Sequence, residues 1–104
     1  MEKVILEILE EKTPEGVKFR LKGRVSSDNA DKLQDALQKA LNDGNKNIIL
    51  NMLMVEFLSS AGIRVLLKAY QDAKNAGGKF GIEKPSQSVR NVLGMISLDN
   101  LLIK

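Results

Sequence analysis

The chain contains no cysteine and no histidine among its 104 residues. Without these two side chains it cannot form a disulfide framework, a zinc finger, a thiol nucleophile or a serine–histidine–aspartate triad. Aromatic residues account for only 4% of the sequence, and no apolar run approaches the roughly 18 residues that a membrane-spanning helix needs. The N-terminus also lacks a signal-peptide pattern. These absences predict a soluble cytoplasmic protein with no membrane insertion, no cofactor and no metal.

The length and the apolar content of the chain are sufficient for one folded domain. The sequence is 43% apolar, and a chain of this length can bury a hydrophobic core without cross-links or metal. Its formal charge of +3 comes from 16 basic and 13 acidic residues that are spread along the whole chain. Nucleic-acid-binding proteins usually concentrate basic residues on one face and interleave aromatic side chains for stacking. The sequence therefore predicts a single domain over residues 1–104 with no direct nucleic-acid partner.

A row of basic residues stands out in the segment that follows the first turn. Apolar residues alternate there with Lys18, Arg20, Lys22 and Arg24. Such alternation is typical of a strand with one face in the core and the other in solvent. A surface for an acidic partner is the alternative interpretation.

Hydrophobic periodicity and turn residues predict alternating strands and helices. Strands at 3–11 and 17–22 flank a proline–glycine turn and predict an antiparallel hairpin, followed by a loop at 23–27. The later elements are a helix from Ser27 or Asp28 to about Asn42, a strand at 47–52 buried on both faces, a helix at 60–76, a strand at 79–83, a helix that opens near 84–86, and a terminal helix or strand at 98–103. Short connections favour parallel pairing after the hairpin. The expected fold class is α/β, with a mixed sheet of four to five strands packed with helices.

Two adjacent serines, Ser59 and Ser60, precede the longest predicted helix. A serine at this point can cap the helix by accepting hydrogen bonds from its free backbone N–H groups. The positive end of the helix dipole would also tolerate an added phosphate. The position therefore favours regulation over catalysis. Ser60 as a helix cap alone is the alternative, with Ser59 as the second candidate for either role.

With these motifs in place, the sequence resembles the STAS domain, the fold of bacterial anti-sigma factor antagonists. The resemblance covers nearly the whole chain and rests on the segments 21–25, 29–33, 47–51, 57–67, 76–78 and 89–93. It implies a protein-binding module that is not an enzyme. The implied partner is an anti-sigma factor with serine/threonine kinase activity, which binds the unphosphorylated protein. Phosphorylation of Ser60 would end that complex, and a phosphatase would restore it.

The resemblance also implies which residues meet the partner: Ser26, Asp28, Ser59, Gly62 and Arg64. Members of the family often carry an aspartate where this chain has Ser26 and Ser59. Two explanations for the glycine at position 62 are left open: it allows a partner to approach the helix start closely, or it allows the helix to pack tightly against the sheet. Arg64 is expected opposite an apolar stripe of the helix, either as a solvated charge or as a phosphoserine contact. Asp28 is interpreted as a helix-capping or first-turn acid and not as a metal ligand.

Two other functions compete with this interpretation. The first is an adaptor subunit of a membrane transporter complex, which would share the fold and need no phosphorylation. The second is an enzyme with Ser60 as its nucleophile. The chain has no histidine to activate a serine, so a lysine such as Lys68 would have to serve as the base.

Overall fold

The computed structural model describes residues 5–96 and Leu101. Its elements follow the order of the chain: β1 (Leu6–Lys12), β2 (Val17–Val25), α1 (Ala30–Asn42), β3 (Asn47–Leu58), α2 (Ser60–Asn75), β4 (Lys79–Glu83) and α3 (Gln87–Met95). The predicted start of the first strand before Ile5 lies outside the described residues. So does most of the predicted terminal segment at 98–103, of which Leu101 is described and buried.

The four strands form one mixed sheet in the order β1-β2-β3-β4. β1 and β2 are antiparallel and form the predicted hairpin, closed by hydrogen bonds between Thr13 and Gly16. β2 pairs with β3, and β3 with β4, in parallel. The predicted α/β class and the mixed sheet are confirmed. Because the carboxyl ends of β2 and β3 lie side by side, the segments that follow them meet at one edge of the sheet.

A single hydrophobic core lies between one face of this sheet and the helices. It contains the buried residues of the four strands together with those of α1, α2 and α3. The opposite face of the sheet is therefore largely open to solvent. The prediction that the strand at 47–52 is buried on both faces is wrong, since Ile48 and Leu50 face the core while Ile49 is only partly buried.

β2 is longer than the sequence predicts and extends through Gly23 to Val25, where a loop was expected. Gly23 makes this extension possible with a φ of 113°, because any Cβ at this position would overlap the carbonyl oxygen of Ile5. That carbonyl instead accepts a hydrogen bond from the backbone N–H of Arg24 at 3.1 Å. The glycine thus marks an irregularity within the strand and not its end.

β3 also continues beyond its predicted end at Met52 and runs to Leu58. Its second half stays paired with β2, although the register shifts twice on the way. The segment between the predicted strand end and the helix start at Ser60 is therefore strand as far as Leu58. Only Ser59 separates β3 from α2, so the strand positions the helix start directly.

The start of α1 also differs from the prediction that Ser27 or Asp28 caps it. The capping position belongs to Asn29, whose side chain makes no capping hydrogen bond to the helix. The Asn29 amide instead accepts from the backbone N–H of Ser26 and donates to the carbonyl of Arg24, both at 2.9 Å. These bonds hold the turn between β2 and α1. The predicted bounds of α2, β4 and α3 agree with the structure to within about three residues.

Candidate partner-binding site

Ser59 joins the end of β3 to the start of α2. Its backbone N–H donates to the carbonyl of Val25 at 2.8 Å, which ties it to the end of β2. Its hydroxyl accepts a hydrogen bond from the backbone N–H of Gly62 at 3.1 Å. Ser59 is therefore the N-cap of α2, and the interpretation of Ser60 as the cap is wrong.

Ser60 is the first residue of the helix, and its side chain is exposed to solvent. Its hydroxyl makes no hydrogen bond to any residue between 5 and 96. Because Ser59 performs the capping, the Ser60 hydroxyl is not needed for the capping hydrogen bond of α2. Phosphate at this position would lie against the positive end of a 16-residue helix.

Gly62 is buried where α2 crosses the ends of β2 and β3. A Cβ at this position would lie 2.6 Å from Cγ1 of Val25 and 2.8 Å from Cδ1 of Leu58. Both distances are shorter than van der Waals contact. Gly62 therefore serves helix–sheet packing and faces the interior, and the alternative of close approach by a partner is not favoured.

The turn after β2 places Ser26 and Asp28 at the same edge of the sheet. Val25 pairs with Leu58 in the register of β2 and β3, so the residues that follow each strand are neighbours. The Ser26 hydroxyl is buried and has no hydrogen-bond partner among the described residues. Asp28 is exposed in the turn and caps no helix. The segments that meet here thus include two uncharged serines, Ser26 and Ser59.

The exposed side of α2 continues from Ser60 along the helix. Residues three, four and seven positions further on share its face: Ile63, Arg64 and Leu67. Ile63 and Leu67 are only partly buried, because the buried stripe of α2 consists of Val65, Leu66, Ala69 and Ala73. Arg64 is exposed one turn from Ser60 and pairs with no described carboxylate.

Phe57, two positions before Ser59, was not predicted from the sequence to be a site residue. The Arg24 guanidinium lies over the Phe57 ring, 4.7 Å from its centroid, and the Phe57 side chain is 41% exposed. Arg24 and Phe57 pair across β2 and β3. The alternation that makes Arg24 face solvent was visible in the sequence, whereas its pairing with Phe57 depends on the strand register.

Lys68 is too far from Ser60 to act as its general base. It lies two turns further along α2, about 12 Å along the helix axis at 1.5 Å per residue. Its ammonium group binds the carboxylate of Asp72 at 2.7 Å. The arrangement therefore supports a docking surface at the start of α2 more than a catalytic serine.

Within the described residues, no helix is long and apolar enough to cross a membrane. The chain matches the family model of the STAS domain over residues 7–104. A relative from Bordetella bronchiseptica, named as the anti-sigma factor antagonist BtrV, is 29% identical over 72 residues, which span 69% of this chain and 62% of the relative.

Solved structures share the fold. An anti-sigma factor antagonist from Mycobacterium paratuberculosis superposes with a TM-score of 0.85 at 21% identity, over 97% of this chain and 86% of its own. The Bacillus cell fate determinant SpoIIAA in its phosphorylated form superposes with a TM-score of 0.76 at 22% identity, over 93% of this chain and 89% of its own. The family match covers nearly the whole chain, and the chain therefore belongs to the STAS domain family.

Proposed function

We propose that this protein is an anti-sigma factor antagonist that works by partner switching. In its unphosphorylated form it binds an anti-sigma factor that is also a serine/threonine kinase. The kinase phosphorylates Ser60, the complex dissociates, and a phosphatase restores the binding form. The names of the relatives from Bordetella bronchiseptica and Mycobacterium paratuberculosis support the antagonist role. The proposal of a switch rests mainly on one observation: Ser59 caps α2, whereas Ser60 is exposed to solvent.

The surface around Ser60 explains why one phosphate would change binding. Ile63 and Leu67 are partly exposed on the same side of the helix, so a partner docked here would exclude water from Ser60. Phosphorylation adds a charge of about −1.5 to −2 at pH 7. The helix dipole accommodates this charge in the free protein, whereas a dry interface does not. A change of occupancy from 99:1 to 1:99 needs about 5.5 kcal/mol, a magnitude that burial of an unpaired charge can supply.

The first test is recovery of partners from native cell extract by the wild-type protein and by Ser60→Asp and Ser60→Ala, with identification by mass spectrometry. We expect the wild type and Ser60→Ala to recover a kinase of this class, and Ser60→Asp to recover at least about tenfold less, equivalent to about 1.4 kcal/mol. Ser88→Asp is a matched control, because it also adds one charge to the first turn of a helix. Equal recovery by all four proteins would contradict the switch.

The same experiment separates the competing function. Recovery of a transporter component by the wild type and Ser60→Asp alike would support the adaptor role and leave Ser60 without a regulatory one. Mapping of phosphate on protein isolated from its native cells provides an independent check. We expect phosphate on Ser60 and none on Ser59, because the Ser59 hydroxyl is engaged with the backbone of Gly62.

A further inference from the structure

The solvent side of α2 carries a row of polar and charged residues at intervals of four positions. Its members are Ser60, Arg64, Lys68 and Asp72. The first three are exposed, and Asp72 is partly buried. Residues four positions apart are neighbours on the surface of a helix, so each member of the row lies beside the next. We call these four residues the polar row of α2.

The second half of the polar row is already neutralised. The Lys68 ammonium group binds the carboxylate of Asp72 at 2.7 Å and the side-chain carbonyl oxygen of Gln38 in α1 at 3.4 Å. Asp72 is the only acidic residue of α2. It lies about 12 Å from Arg64 along the helix axis, at 1.5 Å per residue. The single carboxylate of this helix is therefore used by Lys68 and does not serve Arg64.

The first half of the polar row has no negative charge. Arg64 has the like charge of Lys68 on one side, an arrangement that destabilises a helix slightly. On its other side is the uncharged Ser60. The first turn of α2 contains no acidic residue, and Arg64 forms no ion pair within residues 5–96. Both Arg64 and the positive end of the helix dipole would consequently be stabilised by an anion at position 60.

A phosphate on Ser60 has the position and the chemistry to be that anion. An acidic group four positions before a basic one is the favourable order on a helix, and their Cβ atoms are about 5–6 Å apart. The guanidinium group offers parallel N–H donors that match two oxygens of a phosphate. Phosphorylation would place negative charges at both ends of the row and the two cations between them.

Other charged residues near the start of α2 do not replace Arg64. Asp28 in the turn before α1 and Glu56 of β3 are exposed acids, which would repel a phosphate rather than hold it. The Arg24 guanidinium lies over the ring of Phe57. All three belong to other segments of the chain. Arg64 is the cation whose distance from Ser60 is set by the helical backbone itself.

We propose that Arg64 is the intramolecular partner of the phosphate on Ser60. Its guanidinium group donates hydrogen bonds to the phosphate oxygens across one turn of α2 and stabilises the phosphorylated form of the domain. This inference rests on the proposed phosphorylation of Ser60, and it identifies the residue that holds the added group.

The test uses the full chain with phosphoserine incorporated at position 60 during synthesis, so that no kinase is needed. A pH titration followed by phosphorus NMR measures the second ionisation of the phosphate, which occurs near pH 6. A neighbouring cation favours the doubly charged form. Arg64→Gln should therefore lower this ionisation constant about twofold. Arg64→Lys retains the charge and should restore most of the difference, and about 1 M salt should abolish it.

Lys74→Gln is the matched control for the loss of one positive charge. Lys74 also belongs to α2, but it lies about 21 Å from Ser60 along the helix axis. This variant should leave the ionisation constant unchanged. Asp28 and Glu56 are present in every protein compared, so their effect on the phosphate cancels.

Thermal unfolding provides a second measurement of the same interaction. Phosphorylation should raise the melting temperature of the wild type by about 1–4 °C more than that of Arg64→Gln, because only the wild type gains the ion pair. Arg64 is exposed, so its replacement should leave the fold intact by circular dichroism.

Two outcomes would overturn the proposal. The first is the same ionisation constant and the same melting-temperature increment in the wild type and in Arg64→Gln. The second is an equal effect of Lys74→Gln, which would show a general influence of charge and no specific pair. Because the phosphoserine is incorporated directly, these results are independent of partner recovery by Ser60→Asp. Failure of the ion pair is thereby distinguishable from failure of the switch.

Discussion

At the scale of single residues, adjacent serines of identical chemistry have different roles because their backbone positions differ. Ser59 has extended backbone angles, with φ of −79° and ψ of 169°, which aim its hydroxyl at the free N–H groups of α2. Ser60 already belongs to the helix and projects from its first turn into solvent. The capping role and the proposed regulatory role are thereby separated by one position.

This difference predicts opposite effects of alanine substitution on stability. Ser59→Ala removes the cap and should lower the free energy of unfolding by about 1 kcal/mol. Ser60→Ala removes no hydrogen bond to a described residue and should change it by less than about 0.5 kcal/mol. Urea denaturation of both variants and the wild type measures the two values. Equal losses would show that the serines share the capping role.

At the scale of secondary-structure elements, Ser86 secures the part of β3 that leads to the site. β4 ends at Glu83, opposite Asn51, so the later residues of β3 have no strand on that side. The backbone N–H of Ser86 donates to the carbonyl of Met52 at 3.1 Å, and its hydroxyl donates to the carbonyl of Val55 at 2.6 Å. The same hydroxyl caps α3. One residue therefore continues the edge pairing of β3 and starts a helix.

Replacement of Ser86 by alanine should consequently lower the free energy of unfolding by more than the loss of an ordinary helix cap would. We expect the free energy of unfolding to fall by about 1–3 kcal/mol, because the carbonyl of Val55 loses its donor while α3 loses its cap. Ser86→Thr retains a hydroxyl and should recover most of the stability. Ser88→Ala is the control and should stay within about 0.5 kcal/mol of the wild type. An effect of Ser86→Ala no larger than that control would contradict this role.

At the scale of the whole molecule, one core joins all three helices to one face of the sheet. Tight contact between α2 and the sheet at Gly62 is part of that core, so a substitution there should destabilise the entire domain. Gly62→Ala places a Cβ within 2.8 Å of Val25 and Leu58. We expect a loss of about 1–3 kcal/mol from overpacking, and the melting temperature should fall by roughly 4–8 °C per kcal/mol.

Gly94 provides the matched control for this prediction. It also lies in a helix, α3, but a Cβ there meets no atom of a described residue within 4 Å. Gly94→Ala should therefore raise the stability by about 0.5–1 kcal/mol through the lower chain entropy of the unfolded state. Calorimetry of both variants measures the contrast. A stabilising Gly62→Ala would show that α2 is free to move away from the sheet.

Much of the fold could be predicted because local signals agree with the tertiary structure. The alternation in β2, the turn before it and the helical spacing in α1 each identify an element without knowledge of its neighbours. The strand ends could not be predicted in this way. Gly23 resembles a loop residue, yet Arg24 remains paired on both sides because Ile5 and Phe57 happen to lie opposite. Such pairing depends on contacts between residues far apart in the chain.

The order of the elements, the exclusion of histidine and cysteine chemistry, and the candidate serines at the start of α2 could all be derived from the amino-acid sequence alone. These features follow from residue identity and from spacing within one segment. The capping of α2 by Ser59 and the position of Gly62 against the core depend instead on the three-dimensional arrangement of the chain. The physical reason is that capping, burial and exposure depend on which atoms lie opposite across the sheet. Strand register and helix placement set those neighbours, and no local pattern encodes them.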